Sequence, residues 1–205
     1  MILWEVTRAS AFVAFACYTV AVVWGIALTA RSFRPPVSPQ FDYHRFVAVL
    51  GLLALITHVS TLLADRFAHV GVGTLLGLGP SWGVRAGVAA FWLTIAIPLS
   101  FRLKQRKWLS QRFWRRFHYF GYAVWGLALA HGIWVGTDTS SRYALSAYAA
   151  SAAMVAGTAW WRWFEVVPKV ARTGPKAAAE PKRPVPALAA RADAAARQSS
   201  RRRVD

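Results

Sequence analysis

Long uncharged stretches alternate with short charged segments over the first 165 residues. They run from Ala9 to Ala30, Phe46 to Ala64, Ala86 to Phe101, Phe117 to Thr137 and Tyr143 to Trp161. A helix needs about 20 such residues, within a range of roughly 17 to 25, to cross the hydrocarbon core. Four stretches meet that length directly. The third has 16 residues, and Ser81, Trp82 and Gly83 extend it because Arg85 can snorkel to the interface. The pattern predicts an all-α, polytopic membrane bundle of about five transmembrane helices over residues 1–165. The first stretch is too long for the apolar region of a signal peptide, and no good small-x-small cleavage site follows it, so it reads as a retained anchor.

The connections differ in character. Arg31 to Tyr43 carries Pro35, Pro36 and Pro39 and is expected to be an extended cytoplasmic loop. Asp65 to Trp82 is rich in glycine and apolar enough to lie in the outer interface or to dip back into the protein. Gly136 to Arg142 is short and polar. From Val166 the chain turns to alanine, proline and basic residues, so 166–205 is expected to be a disordered cytoplasmic tail with at most a transient helix through Ala187–Arg197.

Composition agrees with a membrane domain: 56% of residues are hydrophobic and 16% charged, against roughly 25% charged in soluble domains. The net charge of +17 suggests nucleic acid until its distribution is read. Seven basic residues lie between Arg102 and Arg116, three in the loop after the first stretch and eleven from Arg162 onward. Only Arg8, Arg66, Arg85 and Arg142 fall on the other side. The positive-inside rule then places the N-terminus outside and the C-terminus in the cytoplasm of a multi-pass plasma (inner) membrane protein. The charge marks topology and contact with anionic membrane lipid rather than nucleic acid.

The single cysteine, Cys17, excludes an intrachain disulfide and a cysteine-built cluster, and without a C-x-x-C-H segment haem cannot be attached covalently. Four of the five histidines form two widely spaced pairs. His44 and His58 bracket the second span, fourteen residues apart, and His118 and His131 bracket the fourth, thirteen apart. Ionisable residues inside a span are costly and functional by default, and imidazole is an axial ligand of haem iron. Fourteen residues return the second imidazole to within about 40° of the first, roughly 21 Å further along the helix. Spans two and four run parallel, so His44 meets His118 at the cytoplasmic end and His58 meets His131 toward the outside. Each pair can clamp one iron, giving two non-covalent haem b groups between spans two and four. Gly51, seven residues from both His44 and His58, would leave room for the macrocycles.

Thirteen residues set His118 and His131 about 140° apart on an ideal helix. Either the helix is widened or twisted, near Gly121 and Gly126, or one imidazole reaches around. Each histidine alone also reads as an interfacial or core residue. His69, in the outer loop, is not expected to be a ligand, although it could serve a cofactor or acceptor edge. Trp108, Trp114, Trp160, Trp161 and Trp163 read as an interfacial belt.

The histidine spacing, with HR at 44–45, LLAD at 62–65, RFWRRFHYFGY from Arg112 to Tyr122 and HGIWVGTDTSS from His131 to Ser141, resembles the ferric reductase-like transmembrane domain shared by ferric reductases and NADPH oxidases. It is more similar to the bacterial stand-alone members. The likeness covers about 40–165, and the haem subunit serving periplasmic methionine sulfoxide reductase is a more distant parallel. The resemblance implies an inner haem on His44 and His118 and an outer one on His58 and His131. It also implies passage of electrons from a cytoplasmic flavoprotein or quinol to an extracytoplasmic acceptor. No flavin or nicotinamide domain of the larger reductases follows the last span. Two other functions fit less of the pattern: a haem or small-molecule carrier, and a membrane anchor subunit whose histidines are incidental.

Overall fold

The computed structural model describes residues 2–30, 38–65, 68 and 70–166, in a chain that divides into Met1–Glu165 and Val166–Asp205. Residues 31–37, His69 and residues 167–205, with the helix expected there, lie outside the described residues.

The first unit is helical, with no strand among the described residues. Its helices are α1 (Ile2–Thr29), α2 (Ser38–Ala64), α3 (Trp82–Gln105), α4 (Gln111–His118), α5 (Phe120–Val135) and α6 (Arg142–Trp161). By length and apolarity α1, α2 and α3 can cross a bilayer. α5 has 16 residues, about 24 Å at 1.5 Å per residue, and α6 has 20, interrupted by serines, tyrosines and tryptophans that make it less apolar.

Local chemistry sets the helix ends. Ser81, Ser110 and Ser141 stand at the N-caps of α3, α4 and α6, and each hydroxyl accepts from a backbone N–H three residues on. Residues 38–43, expected in a loop, already belong to α2, where Pro39 occupies the first turn and its missing N–H deprives no carbonyl of a partner. Between α2 and α3 the chain folds back. A π-helical turn, Thr74–Leu78, contains Gly77 at φ +90°, and its Leu75 carbonyl accepts from Trp92 Nε1 at 2.8 Å. Trp92 lies ten residues into α3, so this segment runs beside the helix rather than away from it.

α1 is the central helix. It packs along α2 and also meets α5 and α6, while α3 packs along α5. Ala14 and Tyr18 of α1 join Val124 of α5 in a core to which α2 and α3 add Ala54, Leu55, Leu93 and Ile97. A second cluster joins Phe15 to Ala144 and Tyr148 of α6, and buried Thr19 and Ser151 exchange a hydrogen bond at 2.8 Å. The opposite face of α2 presents Phe46, Val49, Leu50, Leu53 and Ile56 outward, a stripe of apolar side chains with no protein against it.

Candidate functional site

The histidines of α2 sit on α1. His58 Nδ1 lies 2.9 Å from the Thr7 carbonyl; a carbonyl can only accept, so Nδ1 carries the proton and the Nε2 lone pair is left for a metal. The interval repeats across the helix pair. Fourteen residues separate His44 from His58, and fourteen separate Thr7 from Ala21 on antiparallel α1. The Ala21 carbonyl accordingly lies close to His44, although His44 Nδ1 is buried without a partner in hydrogen-bond geometry. A Cβ at Gly25, one turn further along α1, would sit 3.5 Å from the same ring.

His131 sits on α3 in the same manner. Its Nδ1 donates to the Gly83 carbonyl at 2.8 Å. A Cβ at Gly87 would stand 2.6 to 2.9 Å from three atoms of the His131 ring, and one at Gly83 would meet Val135 and Trp134 at 2.5 and 2.9 Å. Gly83 and Gly87 form a G-x-x-x-G pair that lets α5 approach the α3 backbone. The sequence reading overlooked this pair, although its small-x-x-x-small spacing was a visible sign.

His118 ends α4. Its ring lies 6.0 Å from that of His44, centroid to centroid, with the planes at 68°. Two imidazoles that bind one metal from opposite sides, at about 2 Å per metal–nitrogen bond, hold their centroids roughly 6 Å apart. His58 and His131 are within electrostatic range of each other at the other end. α2 makes almost no backbone contact with α4 or α5, so His44 and His118 approach each other between helices that scarcely touch. Among the described residues no group of three or more His, Cys, Asp or Glu is placed to hold a metal ion. A haem iron differs in asking the protein for only two axial ligands, which each pair can offer.

The angular mismatch on the second histidine helix is reduced at Tyr119. The helix breaks there, with the Tyr119 N–H bonded to the Arg116 carbonyl and the Tyr122 N–H to the Tyr119 carbonyl, a three-residue pattern. Such a turn advances about 120° per residue instead of 100°. Two or three tightened residues remove roughly 40 to 60° of the offset. The helix tightens just after His118 rather than widening near Gly121 or Gly126. A Cβ at either of those glycines would meet nothing within 4 Å.

Gly51 does not leave an opening. It is buried against α1, where a Cβ would meet the Tyr18 ring at 2.8 Å and Cys17 Cβ at 3.0 Å. The Tyr18 hydroxyl donates to the Gly51 carbonyl at 3.1 Å. The missing side chain serves the α1–α2 contact midway between the two histidine levels.

At the His58–His131 end, Arg8 of α1 forms a two-pronged ion pair with Asp138 in the α5–α6 connection, Nε to Oδ2 at 2.7 Å. The Thr7 hydroxyl also donates to Thr61 at 2.7 Å. These bonds tie α1 to α2 and to the base of α6 beside His58 and His131. Comparison of the chain with protein-family models, curated proteins and solved structures finds no match.

Proposed function

We propose that the chain is a transmembrane di-haem b-type cytochrome that moves electrons from a cytoplasmic donor to an extracytoplasmic acceptor, in the manner of a ferric reductase. The observation that carries this reading is the 6.0 Å approach of His44 to His118 between two helices that otherwise scarcely touch. In this reading all five apolar stretches cross the plasma membrane, with α4 and α5 forming the fourth span and α6 the fifth. The N-terminus lies outside and the C-terminus inside.

His44 and His118 hold the inner haem, and His58 and His131 the outer one. The haems supply one-electron storage. The chain's part would be to offer two imidazoles to each iron, which would leave no open site for oxygen and favour transfer over oxygenation. It also fixes ligand direction: backbone carbonyls at Thr7 and Gly83 hold the outer imidazoles in one tautomer and increase their basicity. The basic 102–116 segment lies beside the inner pair and attracts an acidic flavoprotein or a donor at an anionic membrane surface, an attraction that weakens with salt.

The test is the haem content of purified protein. We expect two acid-extractable haem b per chain, one lost with His44→Ala or His118→Ala and the other with His58→Ala or His131→Ala. Fewer than two in the wild type would reject the two-site form. A colourless protein would leave a membrane anchor, and a spectrum showing readily lost haem without bis-histidine ligation would favour a carrier.

A further inference from the structure

The two histidine levels are finished differently. Outer His58 and His131 each spend Nδ1 on a carbonyl. At the inner level three buried side-chain nitrogens have no hydrogen-bond partner: His44 Nδ1, Trp114 Nε1 and Arg162 Nε. Trp114 stacks on His118, with centroids 5.4 Å apart and planes at 29°. Arg162 acts electrostatically on Tyr122, one turn along from His118. Native proteins pair nearly all buried donors, so a group of orphans at one end of a bundle points to an acceptor that belongs there.

The surroundings of Trp114 specify that acceptor. Lys104 Nζ lies 5.1 Å from the centroid of the Trp114 ring and 5.4 Å from that of Phe101, and Phe101 packs against Trp114 at 5.6 Å. None of the described ion pairs uses Lys104. An indole N–H can only donate and an ammonium can only donate. Together they offer a buried neutral donor and a cation, side by side, one helical turn before His118.

We propose that Trp114 and Lys104 anchor a carboxylate of the macrocycle bound between His44 and His118. This rests on the haem reading above and adds a binding role that axial ligation does not require. The indole donates to one carboxylate oxygen and the ammonium neutralises the charge. The stack keeps the His118 ring beside the anchored edge, so one residue acts on both ligand and periphery.

The experiment measures transfer of haem from purified holoprotein to excess apomyoglobin, for wild type, Trp114→Phe, Trp114→Leu and Lys104→Met. The outer haem spectrum serves as the internal sign of folding. Trp114→Phe keeps an aromatic stack but has no N–H; it should release the inner haem about tenfold faster, the scale of one hydrogen bond to a charged group. Lys104→Met should do the same, and Trp114→Leu should also shift the electron paramagnetic g values of the inner haem. In protein loaded with the dimethyl ester of haem, wild type should release it as fast as Trp114→Phe does. Equal release of haem from wild type and Trp114→Phe would overturn the anchor. So would a release rate governed by anionic lipid content and indifferent to esterification, which would assign the corner to a headgroup. If His44→Ala removes no haem from the wild type, the haem reading itself fails, a result separate from these.

Discussion

A methyl group at position 87 would stand 2.6 Å from His131 Nδ1, closer than any relaxed contact. Alanine normally improves a helix over glycine by about 1 kcal/mol. Overpacking of this kind costs roughly 1–3 kcal/mol and pushes the ring from the Gly83 carbonyl. The second effect wins, so Gly87→Ala should reduce haem content from two per chain toward one, with the outer haem missing. Gly25→Ala, whose Cβ would sit 3.5 Å from His44, should leave both in place; extraction and optical quantitation check the pair. The four ligand candidates were legible because a histidine inside an apolar run is conspicuous. Their supports were not. Thr7 and Gly83 act through backbone carbonyls, which every residue has, so side-chain identity cannot mark them. Gly51 was misassigned because an absent side chain makes room in whichever direction the helix faces, and only packing shows that direction to be α1.

Among the elements, the α4–α5 break has the sharpest consequence. Tyr119 interrupts an apolar run that reads as one span, and the tight turn brings His118 round toward the face needed to meet His44. One alanine inserted between Tyr119 and Phe120 would turn α4 by about 100° relative to α5. The inner haem should be lost from the difference spectrum. The outer one should persist, because His131, Gly83 and Gly87 keep their register. Periodicity signalled a discrepancy here without its remedy, since a local change from four- to three-residue bonding leaves no compositional trace. The fold-back at Thr74–Leu78 was legible only as a choice between an interfacial segment and a dip. The Trp92 bond to Leu75 makes it a segment lying along α3.

At the scale of the molecule, the all-helical architecture and the long apolar helices were plain from block hydrophobicity, whereas the arrangement of those helices was not. Nothing in the sequence of α1 announces that it is the central element, because a span buried by protein and one bathed in lipid are equally apolar. Orientation rests on the distribution of basic residues. A reporter fused after Asp205 should be active only in the cytoplasm, and one inserted near Ser140 only outside. Cytoplasmic activity at Ser140 would exchange the inner and outer labels of both pairs.

The central position of α1 also bears on biosynthesis. α1 is made before α2, α5 and α6, which later surround it, and it provides the Thr7 carbonyl on which His58 rests. When α1 and α2 have left the ribosome, half of each site is built and its histidines are already oriented, but neither level has a second imidazole. The chain must emerge through His118 before the inner level closes and through His131 before the outer one does. In the haem reading, loading is therefore ordered late, after a two-helix platform has waited for its counterpart, and a nascent chain stalled in α3 carries two half-sites and no complete one.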